Sequence, residues 1–557
     1  MMIYRNLAEA HRRQAERFGT RVAVRFPRNG HYQDLSWSEY RNAVRACAAA
    51  LVDTGIQPGD RVGLLGENRV EWLFADLGIL TAGAVTVSPH AALSARQIHF
   101  QLRDAGARWL FVSTAAQLEK ALHVQRELPD LTGIVVFDSQ AASDGAIAWD
   151  EFLKKGRDAQ DRLMTELNNR EAALELDALA TIMYTSGTTG DSKGVMLSHG
   201  NIVSNVTACL EAEPVQPDEL NLCWLPLSHI YARTCDFYEW IVAGATLCLA
   251  ESPETVVANL AEIQPHCLSC VPRFYEKVLA AVASPDPAIM GERLRHIFGP
   301  RIRFLGAGGA PLPVALERIL RDAGLPILTG YGLTESAPVL TFNLAGQCKV
   351  GTVGRALPGV ELRISADGEV LARGPNIMLG YWNNAQATAE TICDGWLHTG
   401  DLGSLDADGY LTITGRKKDL LVLSNGKKVV PTYIEGLLVA DDCIDQAVVY
   451  GEGRHFLTAL LVPHWDSLRA AISINGPPVA DRTSNRDLAR DPAVLETLQK
   501  RLMLRLADVA NYEQVKKFVV VPEPFSVASG EMTVSLKLRR NIVFAKYAAE
   551  LEALYRE

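Results

Sequence analysis

Apolar residues in the first part of the chain recur at two alternating spacings, which predict helices and strands in turn. Ser36-Trp-Ser-Glu39 reads as a capping box, and apolar residues follow it at helical spacing until Gly55 closes the element. The next predicted elements are a strand over 62–65, a helix over 71–82, a strand over 84–87, a helix over 94–105 and a strand over 109–112. This alternation predicts largely parallel sheets that are covered by helices.

The pattern changes after about residue 350, where short strands at 360–364, 369–371 and 411–414 predict a small β-rich subdomain. From Gly415 onward, the pattern indicates a compact α+β arrangement. It predicts strands over 420–423, 447–450, 457–462 and 518–521, helices over 433–440 and 495–506, and a surface loop over 475–492. We therefore predict an α/β protein with a large N-terminal domain over 1–415 and a small α+β C-terminal domain over 416–557.

The composition narrows the function classes. The chain has 557 residues, of which 48% are hydrophobic and 22% are charged, as in an ordinary globular protein with more than one domain. Its net charge of −10 leaves no basic excess to neutralise phosphates, which argues against nucleic acid as a partner. The CxxC pair Cys267 and Cys270 has no second ligand pair nearby, so we expect buried strand cysteines rather than a zinc site.

The sequence shows neither a secretion signal nor a membrane span. The N-terminus lacks the apolar core of a signal peptide, and the run Trp240–Ala250 is shorter than the ~20 residues that a span needs. We therefore expect a cytoplasmic protein with reduced cysteines. Peripheral contact with the inner face of a membrane stays open, as does the choice between a monomer and a homodimer.

Hydroxyl and glycine residues crowd into the stretch Tyr184-Thr-Ser-Gly-Thr-Thr-Gly-Asp-Ser-Lys-Gly194, which follows an apolar run and precedes helix-compatible sequence from Ser198. Strand, glycine loop and helix form an arrangement that cradles phosphates with backbone N–H groups. Ser192 stands where the P-loop pattern requires a second glycine, so we expect a polyphosphate clamp of another kind. The candidate phosphate-binding residues are Thr185, Ser186, Gly187, Thr188, Thr189, Gly190 and Lys193.

This stretch resembles the signature of the adenylate-forming enzymes, which include acyl-CoA synthetases, luciferases and peptide-synthetase adenylation domains. Further segments are similar to that family in its order, between about residues 180 and 540. They are Gly306–Pro311, Gly330–Glu335, Trp396–Asp401, Gly415–Asp419 and Gly530–Arg540. The resemblance implies that a carboxylic acid is activated with ATP and Mg²⁺ and then transferred to CoA. It also implies that the small C-terminal domain is mobile and rotates between these two half-reactions.

The resemblance implies a set of site residues in the N-terminal domain. Thr185, Lys193 and Glu335 belong to the catalytic group, and Glu335 also holds Mg²⁺. His229 lines or gates the site in one interpretation and is a core histidine in the other. The implied nucleotide contacts are Gly308, Gly309 and Ala310 against adenine, Tyr331 on its face with Gly332 beside it, and Thr334 on the α-phosphate.

A second set is implied further along the chain. Asp401 and Arg416 contact the ribose, Asp419 is the hinge, Gly426 guides CoA, and Lys537 is the lysine for adenylation, with Lys546 as the fallback. Two departures from the family stand nearby. Asn425 replaces a glycine that the family often has before Gly426, and Val534 replaces a proline in the motif of Lys537.

Segments Val271–Lys277 and Gly374–Tyr381 are similar to those of long-chain acyl-CoA synthetases, which favours a medium- or long-chain fatty acid as the substrate. Two alternatives stay open. One is a fatty acyl-AMP ligase that delivers to a carrier protein, although the insertion typical of that group is not evident between Asp401 and Gly426. The other is a nucleotide-binding homologue with impaired catalysis. A luciferase-like oxygenase has no feature in its favour.

Overall fold

The computed structural model describes residues 4–143, 145–185, 192–475, 484–526, 529–532 and 538–556. The chain divides into two compact units. The first comprises residues 1–363, 371–399 and 405–412, and the second comprises residues 364–370, 400–404 and 413–557. The second unit thus takes in two short segments that precede the C-terminal region in sequence.

Thirteen helices of the described ranges belong to the first unit. A seven-residue π-helix, Ala232–Tyr238, precedes α8. In chain order α1 to α13 are Leu7–Phe18, Trp37–Asp53, Val70–Thr81, Ala95–Ala105, Ala115–Gln125, Trp149–Ala173, His199–Ala212, Glu239–Ala243, Val256–Ile263, Pro272–Val282, Pro287–Phe298, Val314–Asp322 and Ala385–Thr391.

The strands up to residue 416 form three sheets. β1 to β11 are Val22–Arg28, His31–Ser36, Arg61–Leu65, Val85–Val87, Ala107–Val112, Gly133–Val136, Ile147–Ala148, Leu179–Thr185, Lys193–Ser198, Leu220–Cys223 and Thr246–Leu249. β12 to β22 are Cys267–Cys270, Phe304–Ala307, Ile327–Gly332, Val339–Phe342, Arg355–Ala356, Glu361–Ile364, Glu369–Arg373, Gly380–Tyr381, Ile392–Cys393, Trp396–Leu405 and Leu411–Arg416.

Two large sheets have parallel centres, with antiparallel strands at both edges of the first sheet and at one edge of the second. The first has the order β16-β15-β14-β13-β12-β10-β11-β1-β2, in which all pairs from β14 to β1 are parallel. The second has the order β19-β9-β8-β4-β3-β5-β6-β7, in which all pairs from β8 to β7 are parallel. The smaller third sheet runs β17-β18-β21-β20, with β22 beside β21.

The helix that follows Ser36 shows how local sequence sets an element boundary. Ser36 accepts a hydrogen bond from the backbone N–H of Glu39, whose carboxylate accepts one from the N–H of Ser36 at 2.9 Å. This reciprocal pair satisfies two N–H groups that the first turn of α2 would leave unbonded. The predicted capping box is therefore confirmed, and the apolar side chains after it are buried against α3 and α6.

The second unit contains its own core. Helices α14 to α19 are Pro431–Val439, Trp465–Asn475, Asn485–Leu488, Pro492–Arg505, Arg540–Lys546 and Ala548–Ala553. Strands β23 to β27 are Leu421–Val422, Lys428–Val429, Ile444–Tyr450, Leu457–Pro463 and Val515–Val520. β23 and β24 pair as a hairpin, while β26 lies between an antiparallel β25 and a parallel β27. Apolar residues of α14 and α17 pack on this sheet.

The predicted α/β class is confirmed, because parallel-rich sheets covered by helices make up the first unit and a small α+β arrangement makes up much of the second. Cys267 and Cys270 lie in the buried strand β12, as expected from their apolar context. Within the described ranges, no helix combines the length and the apolar character that a bilayer span requires.

Candidate active site

The hydroxyl-rich stretch connects two antiparallel strands. β8 ends at Thr185, β9 begins at Lys193, and these two residues are partners in the ladder. The Thr185 hydroxyl lies 3.5 Å from the carbonyl oxygen of Lys193. The predicted phosphate contacts Ser186, Gly187, Thr188, Thr189 and Gly190 lie outside the described residues. The ladder therefore places the two described ends of the stretch side by side.

The sequence from Ser198 forms a helix, α7, as predicted, but this helix does not follow the loop directly. A strand, β9, intervenes between Lys193 and α7, which begins at His199. The apolar run Val195–Leu197 forms this strand because it pairs with β8 and buries Val195 and Leu197. The capping box of Ser198 and Asn201 then starts the helix. The N-terminus of α7 is consequently a strand's length away from Lys193 along the chain.

Lys193 and Glu335 meet the same tyrosine. The Lys193 Nζ atom lies 4.8 Å from the centre of the Tyr381 ring, a cation–π distance. The hydroxyl of Tyr381 donates a hydrogen bond of 2.8 Å to Oε1 of Glu335. Burial and the Glu335 carboxylate raise the pKa of Tyr381, so its hydroxyl keeps its proton as the donor. Two residues predicted to act on phosphate and metal are thus brought together.

Glu335 sits in a single 3-10 turn, Thr334–Ser336, directly after β14. Its backbone carbonyl accepts a hydrogen bond of 2.9 Å from the N–H of Met378, which fixes the turn to the strand region before β19. Gly332 at the end of β14 has no space for a side chain, because an added Cβ would lie 1.9 Å from the carbonyl oxygen of Pro338. Tyr331 and Thr334, on either side of it, are half-buried.

The predicted adenine-facing glycines lie at the end of β13. An added Cβ at Gly308 would lie 3.1 Å from the ring of Tyr231, so this tyrosine occupies the space that a side chain would need. Gly309 adopts a φ of +76°, a conformation that favours glycine. Gly309 and Ala310 are exposed. The segment therefore presents bare backbone on the side away from Tyr231.

His229 is half-buried and lies beside a second histidine. Its ring stacks on that of His90 with centroids 6.2 Å apart, and Nδ1 of His90 is 2.7 Å from the hydroxyl of Ser228. Nδ1 of His229 accepts a hydrogen bond of 3.2 Å from the N–H of Tyr231. Burial lowers the pKa of His90. The pair thus packs on the segment that leads into the π-helix, and His90 was not predicted from the sequence.

A buried ion pair anchors that π-helix. The guanidinium of Arg233 contacts the carboxylate of Asp76 on α3, and both side chains are fully buried. The remaining donors of Arg233 reach Tyr238 Oη at 2.9 Å, Thr181 Oγ1 at 3.0 Å and Ser88 Oγ at 3.2 Å. This network was not predicted from the sequence. Its signal was Asp76, the one acidic residue in the run from Trp72 to Leu80 of α3.

Asp401 and Arg416, both in the second unit, form an ion pair with Arg416 Nε 2.7 Å from Asp401 Oδ1. Asp401 is only 3% exposed, so its carboxylate is held in place by the protein. Glu369 accepts a hydrogen bond of 3.0 Å from the N–H of Gly400 and one of 2.9 Å from Lys417 Nζ. The structure thus brings together the two residues that were predicted to contact ribose.

The predicted hinge residue, Asp419, and the predicted CoA contact, Gly426, come shortly after Arg416 in the sequence. Asp419 ends a 3-10 turn, Lys417–Asp419, and is half-buried. Gly426 lies in the turn between β23 and β24 with a φ of +78°, and an added Cβ there would meet no atom within 4 Å. The turn at Gly426 therefore projects as an open tip, with Asn425 accepting a hydrogen bond of 3.0 Å from the N–H of Lys427.

Lys537 lies outside the described residues, whereas its flanks are described. Met532 and Leu538 form an antiparallel bridge, so the chain on both sides of residues 533–537 is held together. The fallback residue, Lys546, makes an ion pair of 2.6 Å with Glu531, whose side chain is 3% exposed. The hydrogen bond to Glu531 raises the pKa of Lys546. Lys546 therefore has a structural partner within its own unit.

Comparisons with known proteins agree with this arrangement. Residues 11–382 match the AMP-binding enzyme family, and residues 418–557 match the C-terminal domain of AMP-binding enzymes. A long-chain-fatty-acid–CoA ligase of Mycobacterium tuberculosis, FadD15, is 33% identical over 571 aligned residues that cover 95% of this chain and 93% of the relative. The mouse long-chain-fatty-acid–CoA ligase ACSBG1 is 28% identical, with 97% of this chain and 84% of the relative covered.

Solved structures share the fold. An anthranilate CoA ligase in complex with anthranoyl-AMP, AuaEII, superimposes with a TM-score of 0.79 at 21% identity, covering 100% of this chain and 99% of that chain. A fatty acyl CoA synthetase of Mycobacterium tuberculosis superimposes with a TM-score of 0.68 at 24% identity, with 98% and 99% covered. The family match spans more than half of the chain and includes the strands that carry Thr185 and Lys193 and the 3-10 turn that carries Glu335. This protein belongs to the AMP-binding enzyme family.

Proposed function

We propose that the protein is an AMP-forming ligase that activates a medium- or long-chain fatty acid as an acyl-adenylate and then forms the thioester with CoA. The observation that carries the proposal is the meeting of Lys193 and Glu335 at Tyr381 within a chain of this family. The curated relatives named above are long-chain-fatty-acid–CoA ligases and align over most of the chain. They support the choice of a fatty acid over other carboxylic acids.

In the first half-reaction, an oxygen of the fatty acid carboxylate attacks the α-phosphorus of ATP. A new P–O bond forms, the bond from the α-phosphorus to the bridging oxygen breaks, and pyrophosphate leaves with the electron pair. Such transfers depend on positioning and on stabilising charge. We assign Lys193 and the hydroxyl of Thr185 to the outer phosphates, and Lys537 to the charge that grows at the α-phosphate.

Glu335 fits the requirements of a Mg²⁺ ligand. Oε1 accepts the hydrogen bond from Tyr381, which orients the carboxylate, and Oε2 makes no hydrogen bond to another described residue. Carboxylate oxygens are the ligands that this hard cation prefers. Magnesium, when bound, neutralises charge on the phosphate oxygens. Glu335, oriented by Tyr381, would hold it.

In the second half-reaction, the CoA thiolate attacks the carbonyl carbon of the acyl-adenylate, and AMP leaves with the electrons of the broken acyl–phosphate bond. We assign the ion pair of Asp401 and Arg416 to the ribose, because a buried carboxylate beside a guanidinium offers both an acceptor and a donor to the ribose hydroxyls. We place the domain boundary between residues 415 and 416, the hinge at Asp419 and the CoA contact at Gly426.

We also propose a cytoplasmic location with peripheral contact at the inner membrane face. Each CH₂ group of a fatty acid favours the bilayer by ~0.8 kcal/mol, so a long-chain substrate is concentrated there. Co-flotation of the protein with phospholipid vesicles tests this contact. Protein that stays at the bottom of the gradient, with and without oleate, would contradict it.

The decisive experiment measures AMP release by the purified protein with ATP, Mg²⁺ and acids from acetate to oleate together with aryl acids, each with and without CoA. We expect release that requires CoA and is greatest with a medium- or long-chain fatty acid. Accumulation of acyl-AMP that CoA does not consume would instead indicate a carrier protein as acceptor. ATP binding without AMP release or pyrophosphate exchange for any acid would indicate an impaired homologue.

A further inference from the structure

Tyr381 occupies a fixed position beside the phosphate-binding hairpin. It is one of the two residues of β19, and it pairs with Val195 on β9. Its N–H donates to the hydroxyl of Thr388 at 2.8 Å, and the following N–H, of Trp382, donates to the carbonyl of Gly194 at 2.7 Å. Side chains alternate along a strand, so Lys193 lies on the same face as Val195. Tyr381 is thus placed diagonally across from Lys193.

One side chain contacts both charged groups through different atoms. The ring face of Tyr381 receives the ammonium of Lys193, and its hydroxyl donates to the carboxylate of Glu335. Tyr381 is only 7% exposed, so water screens neither contact strongly. Lys193 and Glu335 could also pair with each other directly, since an ammonium and a carboxylate that contact the same residue attract each other. The ladder that fixes Tyr381 therefore fixes where both charges lie.

A direct Lys193–Glu335 ion pair would defeat the proposed chemistry. The ammonium is required at the phosphates and the carboxylate at the cation, and an ion pair between them would have to break before either could bind. No such ion pair joins these two described residues. A neutral ring and a hydroxyl satisfy each group while leaving its charge available. Preorganised groups of this kind need no rearrangement when the ligand arrives.

We propose that Tyr381 is a positioning residue that holds Lys193 and Glu335 apart and aims them at the phosphates and the metal ion. The inference deepens the proposed function and rests on it. The hydroxyl of Tyr381 acts on the metal side and its ring acts on the phosphate side. The two roles are therefore separable by substitution.

The test measures ATP binding by titration calorimetry rather than turnover, with Mg²⁺ varied at fixed ATP and in a second series with EDTA. Tyr381→Phe keeps the ring and removes the hydroxyl, so we expect the Mg²⁺ concentration for half-maximal enhancement of ATP binding to rise by roughly 5- to 20-fold. Binding in EDTA should stay within about twofold of wild type. Tyr381→Leu removes the ring as well and should weaken binding in EDTA by about fivefold or more.

The matched control is Tyr184→Phe. Tyr184 lies on β8 of the same hairpin and its hydroxyl also donates to a carboxylate, that of Asp104, at 2.6 Å. This variant should leave both titrations within about twofold of wild type, and circular dichroism confirms that all three variants are folded. A Mg²⁺ requirement unchanged in Tyr381→Phe overturns the inference and leaves the proposed function intact. A wild-type protein that binds no ATP under any condition overturns both.

Discussion

The buried pair of Arg233 and Asp76 lends itself to a quantitative prediction. Asp76→Asn preserves the size of the side chain and one oxygen that can accept from Thr86, but it removes the negative charge and puts an NH2 donor in place of the oxygen that accepts from Tyr238. Burial alone lowers the pKa of Arg233, but the Asp76 carboxylate and Tyr238 together more than offset this, so the pKa of Arg233 lies above its ordinary value. The substitution therefore leaves a guanidinium in the interior without the charge that stabilises it.

The expected loss follows from complete burial. Both side chains of the pair are 0% exposed, and breaking such a pair by changing one partner costs roughly 3–5 kcal/mol. For a unit on the order of 400 residues, this lowers the midpoint of thermal unfolding by roughly 4–6 °C. The double variant Asp76→Leu with Arg233→Met buries no charge. It should lose less stability than the two single changes added together.

The assay is thermal unfolding by calorimetry, combined with hydrogen exchange that resolves peptides of α3 and the π-helix. Asp34→Asn is the matched control, because it removes an aspartate that pairs with Arg25 at 2.9 Å but is 48% exposed. Such surface pairs contribute about 0–1 kcal/mol. We expect faster exchange around the π-helix only in the Asp76 variant.

Two results would refute this reasoning. A midpoint for Asp76→Asn within about 1 °C of the control would mean that the guanidinium does not depend on the charge of Asp76. A double variant that loses as much as the two single changes combined would mean that the two side chains act independently. Either outcome would remove the ion pair as the anchor of the segment after His229.

Three further predictions concern catalysis and pH. Lys537→Ala should lower the rate of adenylation, measured by pyrophosphate exchange, by on the order of 10²-fold or more. Lys546→Ala should leave that rate nearly unchanged. It should instead lower thermal stability, because it removes the ion-pair partner of the buried Glu531 carboxylate. Asp419→Pro, which fixes φ at the proposed hinge, should spare adenylation more than thioester formation in stopped-flow assays. Burial raises the pKa of Asp236 to about 7 in the folded state, whereas an aspartate in the unfolded chain has a pKa of ~4. Between these two pH values the folded state holds a proton that the unfolded state has released. The free energy of unfolding should therefore fall as the pH rises from about 4 to 7. Asp236→Asn should flatten that decline in thermal scans across the same range.

Each of these has a clear contrary outcome. Equal adenylation by wild type and Lys537→Ala would show that another lysine serves the first half-reaction. Equal loss of both half-reactions in Asp419→Pro would show that the residue does not act as a hinge. A pH dependence of stability that is identical in wild type and Asp236→Asn would mean that Asp236 is already ionised in the folded protein near pH 4.

The periodic elements were predictable because their information is local. Capping at Ser36 and helical spacing after it set α2, and the apolar context of Cys267 and Cys270 placed them in a strand. The hairpin after Thr185 was not predicted, because Lys193–Ser198 becomes a strand only by pairing with β8 and β19. That partner information is absent from the local sequence, which predicts a helix only from Ser198 onward.

The candidate site shows the same limit. Motif resemblance identified Lys193 and Glu335 one at a time, 142 positions of sequence apart by their numbers. Tyr381 could not be linked to them, since its role depends on the register of β19 against β9. Arg233 and Asp76 were equally hidden, because a charged residue in an apolar stretch reveals burial without revealing its partner. What the sequence lacked in each case was the long-range contact.

The position of β1 in the first sheet has a consequence for synthesis. β1 and β2 form a hairpin early in the chain, yet the other edge of β1 pairs with β11, where Val24 lies opposite Leu247. About 220 residues must be added before that partner exists, which at ~5–20 residues per second takes roughly 10–45 s on the ribosome. During that time the nascent hairpin carries an open row of backbone N–H and C=O groups. Completion of the chain to β11, rather than the local stability of the hairpin, therefore decides when this part of the sheet can form.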